Sequence, residues 1–271
     1  MKVFLNSFRK LPLAMIACLI ILGGALGGQL IASSLLSALK VAKQNSFPIK
    51  TMVPGFQVVE FKQDDRNIRM VMLNNYAKNI TAYVLTTTRA DTPGYILTQR
   101  KDFIIANREA DRVIQPGTKT IFEGEIDGPA ETHDLTIRAV VFDDLTSDGD
   151  QEYADQVLDK RHGRQLLLDE ALPRLQKFTR AAIESGASGK GAFSAQLEET
   201  KEFLTSLASK KLMDASADTT FGYKAEADEL RLSLEQIDKD FQSGDPQRVK
   251  FRTALFEKQF GNLRNRLQIR K

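Results

Sequence analysis

Cysteine is almost missing: Cys18 is the only one in 271 residues. It lies in an apolar run near the start, so the remainder of the chain can form no internal disulfide. Tryptophan does not occur, and histidine occurs twice, at His133 and His162. There is no G-x-S-x-G, no H-E-x-x-H and no Cys/His pair, so nucleophilic and zinc chemistry lack their usual parts. His133 falls in a polar turn and His162 in a charged stretch, Lys160 to Arg164. Both read as surface residues rather than bases. The expectation is a protein that is not an enzyme.

A basic surplus is also missing from the body of the chain. Lys2, Arg9 and Lys10 supply the whole net charge of +3, because the 38 basic residues less these three leave 35, against 35 acidic. Nucleic-acid binding needs a basic excess, so no nucleic-acid partner is expected. Charge of either sign is missing from Leu11 to Leu39. A bilayer core takes about 20 apolar residues as helix, and a basic flank stays on the cytoplasmic side. Residues 1–39 therefore read as a basic tip and an uncleaved signal-anchor helix. That predicts a single pass of the inner (cytoplasmic) membrane, N-terminus in, with residues 40–271 periplasmic. A cleaved signal peptide is the rival, with Ala25-Leu26-Gly27 as its site. A lipoprotein through Cys18 is poor, since Met15 and Ile16 are weak before the cysteine. Gly23/Gly27 and Gly24/Gly28 have G-x-x-x-G spacing, which lets two membrane helices pack closely.

What the chain does have falls into two halves. Residues 40–55 mix basic residues with Pro48, Pro54 and Gly55 and read as a linker. Residues 56–145 read as seven or so short strands between turn formers, an antiparallel sandwich. Leu135, Ile137, Ala139 and Val141 alternate with Thr136, Arg138, Val140 and Phe142 in the last of them. The phrases Leu73-Asn74-Asn75, Ile80-Thr81-Ala82-Tyr83, Ile114-Gln115-Pro116-Gly117 and Ala139 to Asp144 resemble immunoglobulin-like modules of exported and membrane-anchored bacterial proteins. The resemblance covers this third of the chain. It implies a binding or spacing role and no chemistry. The cysteine pair and buried tryptophan of antibody domains are missing.

Residues 146–271 read as a helical domain. Leu168, Ala171, Leu175, Phe178 and Ala182 mark a first helix, which Pro173 should kink. Glu184 to Gly191 is a break, which lacks the strand and first glycine of a phosphate loop. A second helix spans about Phe193 to Met213. Tyr223, Ala227, Leu230, Leu234, Ile237 and Phe241 step at helical spacing, as do Val249, Thr253, Phe256, Phe260, Leu263 and Leu267. Ser243-Gly244-Asp245-Pro246 between them has the residues of a helix stop and start. The chain thus ends in an antiparallel, coiled-coil-like helical hairpin. Gly222–Asp245 carries three basic and seven acidic residues, Pro246–Lys271 eight basic and one acidic. Arm pairing by charge is the expectation; contact of the basic end with anionic lipid is the alternative.

The one dense acidic cluster lies at the joint. Asp144, Thr146, Asp148, Gly149, Asp150, Glu152 and Asp155 match positions 1, 3, 5, 6, 7, 9 and 12 of a Ca²⁺ loop. Asp155 is shorter than the usual glutamate, Gln151 replaces an apolar residue, and a strand precedes the loop. The favoured reading is a turn and a helix N-cap at Asp148 or Asp150. Ca²⁺ is the only cofactor the sequence suggests.

The fold expected is therefore α+β: an N-terminal transmembrane helix, an antiparallel Ig-like β-sandwich and a helical region ending in a hairpin. The function expected is binding, spacing or assembly in the envelope, against the membrane and with another envelope protein or itself. A Ca²⁺-dependent adhesion or regulatory module is one alternative. A periplasmic adaptor of a transport system is another, although adaptors insert the hairpin within the β region and here it trails. Export predicts that a reporter active only in the cytoplasm, fused after Lys271, gives no signal; a signal would refute it.

Overall fold

Turn formers and β-branched runs divide the first half of the chain into eight strands: β1 Ile49–Thr51, β2 Phe56–Asp64, β3 Asn67–Asn74, β4 Ile80–Arg89, β5 Ile96–Asp102, β6 Lys119–Glu125, β7 His133–Phe142 and β8 Ser147–Gly149. Five helices accompany them: α1 Phe103–Ala106, α2 Gln151–Ser185, α3 Lys190–Ser209, α4 Ala217–Gln242 and α5 Pro246–Leu267. The structure, a computed structural model, describes residues 49–64, 66–106, 108, 112–126, 133–185 and 190–267. All of them fall in one compact unit, Phe47–Lys271; the other unit, Met1–Ser46, lies outside the described residues.

The fold class expected from the sequence needs correction. Among the described residues the protein is mixed α+β, with two sheets and five helices. Among the described residues no helix is long and apolar enough to cross a membrane. The transmembrane signal-anchor, with Gly23, Gly24, Gly27 and Gly28, falls on residues 1–39 and so outside the described residues. The sandwich is also not wholly antiparallel, because β1 pairs with β7 in parallel.

One sheet has the order β1-β7-β4-β5, with β8 also on β7; the other is β2-β3-β6. They enclose a core of Phe56, Met70, Met72, Tyr83, Leu85, Leu135, Ile137 and Val140. The opposite face of the larger sheet is covered too: Ala82, Val84, Ala139 and Val141 pack on Ala154 and Val157 of α2. The central strands β4 and β7 are thus buried on both faces.

Two bulges make this possible. Ile80 pairs with Phe142 and Ala82 with Val141, so Thr81 is an extra residue in β4. Val84 pairs with Ala139 and Leu85 with Ile137, so Arg138 is an extra residue in β7. Each bulge reverses which residues face the sandwich. Leu135 and Ile137 point into it, and beyond Arg138 it is Val140 and Phe142.

The helices share a second core, in which Leu167, Leu168, Ala171, Leu175 and Phe178 of α2 meet α3, α4, α5 and Ile104 of α1. Leu234 and Ile237 of α4 are fully buried in it. Helix α2 runs unbroken through Pro173. The turn between α4 and α5 has Gly244 at φ +76, and Asp245 caps α5 by accepting from the Arg248 N–H at 3.0 Å.

Helices α2 and α4 meet backbone to backbone. A Cβ on Gly163 would lie 1.9 Å from the Thr219 carbonyl oxygen, and one on Gly222 would lie 2.1 Å from that of Lys160. Gly261 in α5 has open space around it. Two substitutions of one kind should therefore have opposite signs. Gly222→Ala forces the helices apart and is expected to cost about 1–3 kcal/mol, more than the helix propensity it gains. Gly261→Ala should stabilise by about 0.5–1 kcal/mol. Urea unfolding of both variants checks this, and a stabilised Gly222→Ala would refute the close approach.

Candidate functional site

The acidic joint is a short hairpin followed at once by a helix. After β7, Asp143 to Thr146 turn the chain, with Leu145 at φ 66. Strand β8 returns along β7, pairing Ser147 with Val141 and Gly149 with Ala139. Gly149 has φ +97, and a Cβ there would lie 2.2 Å from the Arg138 carbonyl oxygen, so only glycine fits.

Each acidic side chain has its own local task. Asp144 accepts from the Thr146 N–H at 3.1 Å and the Thr146 hydroxyl at 2.6 Å. Its other oxygen lies 2.7 Å from Lys78 Nζ. Bonding to Lys78, then to Thr146, lowers its pKa to about 2. Asp143 accepts from Asn79 at 2.7 Å. Asp148 receives the Tyr76 hydroxyl on one oxygen and the Gly149 N–H on the other. Burial, then that bond, pushes the Tyr76 phenol up. Asp150 accepts from the Glu152 N–H at 3.2 Å and caps α2. Asp155 accepts from Gln151 at 2.7 Å. Of the five residues singled out as Ca²⁺ ligands, only Asp144 and Thr146 touch each other. Among the described residues no group of three or more His, Cys, Asp or Glu is arranged to hold a metal ion.

A denser charge cluster lies where α2 meets α4. Glu226, fully buried, accepts from Arg108 Nη1 and Nη2, both at 2.9 Å, and from Arg164 Nη1 at 2.5 Å. Glu229 accepts from Arg164 Nη2 at 2.9 Å and also bonds Arg108. Burial pushes the Glu229 carboxyl up, but the two arginines outweigh it and hold the group below its usual value. One turn back, Arg161 grips Asp102 at the end of β5 at 2.8 and 3.1 Å, and the Thr81 hydroxyl at the bulge at 3.1 Å. The sequence reading missed this cluster, because its partners are 62 to 121 positions apart and no local motif joins them. The only sequence signal was the charged stretch Lys160 to Arg164 inside an otherwise apolar-periodic helix.

Between α3 and α4 runs a groove of about 500 Å³, lined by Glu198, Lys201, Glu202, Thr205, Ser206, Ser209, Arg231 and Glu235. Its cations are paired: Lys201 lies 2.6 Å from Asp238, and Arg231 lies 2.5 Å from Glu235. Burial lowers the Lys201 pKa, but Asp238 and Glu198 raise it further, so the amine stays protonated rather than nucleophilic.

The histidines divide. His162 is exposed, as expected. His133 is not a surface residue: it opens β7 opposite Arg89 and is only 2% exposed. The polar residues around it hid a strand start.

The chain matches no family model, no curated protein and no solved structure.

The geometry of the joint supports a turn and a helix cap. Thermal unfolding in EGTA and then in several millimolar Ca²⁺ is expected to give the same midpoint. Asp150→Ala should cost about 1 kcal/mol, as lost caps do. A rise in midpoint with Ca²⁺ that Asp148→Ala abolishes would overturn this.

Proposed function

We propose that this chain is a non-enzymatic binding and assembly module that works on another protein of the cell envelope. The observation that carries the reading is a pair of exposed apolar side chains on one face of α4, with Asp228 between them. Phe221 and Leu232 are 59% and 56% exposed. They lie eleven positions apart, which is three helical turns and so one face. Phe251 of α5 is 69% exposed as well. A single exposed apolar residue is ordinary, whereas apolar residues recurring on one face of a helix are the anchors of helix-in-groove recognition. Lys160 Nζ lies 4.8 Å from the centre of the Phe221 ring.

The likeness to immunoglobulin-like modules fits this role. Strand β7 stands between β4 and β8 while β2, β3 and β6 make the second sheet, an order that supports the resemblance. The envelope setting is drawn from this likeness to modules of exported bacterial proteins.

The reading is tested by placing a photo-crosslinking amino acid at position 221, 232 or 251 of the full chain in living cells. A discrete heavier adduct at 221 and 232, absent from exposed positions on the sheets, is expected. Phe221→Ser should remove the adduct at 232 while shifting stability by no more than about 0.5 kcal/mol. No adduct at any of the three positions would sink the proposal.

A further inference from the structure

The smaller sheet has an open edge. Strand β6 pairs with β3 along its whole length, Asn67 to Glu125 through Leu73 to Lys119, without a bulge. Among the described residues its other side pairs with nothing. Asn74 N–H donates to the Thr118 carbonyl at 3.0 Å and Ile126 N–H to that of Arg66 at 2.9 Å. Residues 118 and 126 thus bond toward β3, and by alternation so do 120, 122 and 124. The N–H and C=O groups of Lys119, Ile121, Glu123 and Glu125 therefore point out of the open edge.

Exposed edges are usually blunted. Strand β2 has a bulge between Val58 and Glu60. Strand β5 sets Arg100 beside Lys101, and β1 and β8 are three residues long. Strand β6 is seven residues long and unbulged, and its exposed charges, Lys119, Glu123 and Glu125, are of both signs. Ile121 is 52% exposed on its outer face, and Phe122 is only half-buried on its inner face.

The sequence Lys119-Thr120-Ile121-Phe122-Glu123-Gly124-Glu125 is complementary in charge at its two ends when reversed. Antiparallel pairing about a two-fold axis at Phe122 sets Lys119 opposite Glu125 of the second copy, and Glu125 opposite its Lys119. Ile121 then faces Glu123, and Thr120 faces Gly124. The outward-pointing residues pair with outward-pointing residues, so every edge N–H and C=O finds a partner. The two Phe122 residues stand opposite each other as a pair without backbone bonds between them, the closer kind of cross-strand neighbour. Glu123 is already engaged by Arg69 at 3.5 Å, which leaves Glu125 for the second copy.

We propose that this chain forms a two-fold dimer through antiparallel pairing of β6 with β6 of a second copy, joining two three-stranded sheets into one. The proposal gives assembly a partner. It stands on β6 and not on the exposed pair of α4, so either reading can fail without the other.

Charge reversal tests it in the full chain by sedimentation velocity. The parent is expected to dimerise. Lys119→Glu and Glu125→Lys each set like charges opposite one another twice and should weaken the dimer about tenfold. The double variant Lys119→Glu/Glu125→Lys restores opposite charges and should recover the parent affinity. All these positions are exposed, so folding is preserved, and association through residues 1–46 would not respond to them. A parent that stays monomeric at every attainable concentration overturns the proposal. So does a dimer indifferent to both charges, or one rescued from Lys119→Glu by Glu123→Lys instead.

Discussion

The contact on which the rest depends is the crossing of α2 and α4 at Gly163 and Gly222. Two helix backbones approach until a single Cβ on either would strike a carbonyl oxygen. That distance is what lets Arg164 reach Glu226 and Glu229 directly. A fully buried carboxylate is tolerable only with such partners, since removing one partner of a buried pair costs about 3–5 kcal/mol. The glycines and the ion cluster are therefore one feature. Small residues bring the backbones together, and the charges beside them make the register specific.

Helix α2 extends this contact to the whole unit. Its first turns lie on the larger sheet through Ala154 and Val157, and its later turns lie in the helical core through Leu167 to Ala182. Between the two, Arg161 holds Asp102 and the bulged Thr81. The bulge at Thr81 turns a residue that would lie within a regular ladder into a ligand for that arginine. The bulge at Arg138 does related work: its guanidinium bonds Thr86 at 2.9 Å and lies over the Tyr153 ring of α2. Both irregularities in the sheet are thus used by the helix that packs on it.

Much of this was legible in the residues, and the exceptions have physical causes. The turn between α4 and α5 reads directly from Ser243 to Pro246, because a left-handed stop, a capping aspartate and a first-turn proline each act locally. The helix-forming periodicities read well for the same reason. The alternation in β7 did not, because Arg138 inserts one residue and reverses the pattern halfway along. A strand buried on both faces then has no polar side to reveal the slip. The Ca²⁺-loop pattern in Asp144 to Asp155 was legible as acidity, but spacing along a chain does not fix where side chains point. Tyr76, Lys78 and Asn79, from the turn before β4, engage three of the four aspartates from 143 to 150 separately.

Charge patterning shows most clearly where local reasoning ends. The acidic α4 and basic α5 looked complementary, and at their shared turn Asp240 does bond Arg252 and lies 3.5 Å from Arg248. Further along α4, the acids turn elsewhere: Asp218 to Lys160 of α2, Glu226 and Glu229 to Arg164 and Arg108, and Asp238 to Lys201 of α3. Arg264 of α5 likewise reaches Asp169 of α2. Adjacent arms of a hairpin touch along one stripe only, and in a bundle each helix has other neighbours within reach of its side chains. Exposed pairs contribute little, about 0–1 kcal/mol each, so net charge along an arm does not decide which helix it packs against. Close packing at Gly163 and Gly222 decides it first, and the charged side chains then pair with whatever that packing brings within reach.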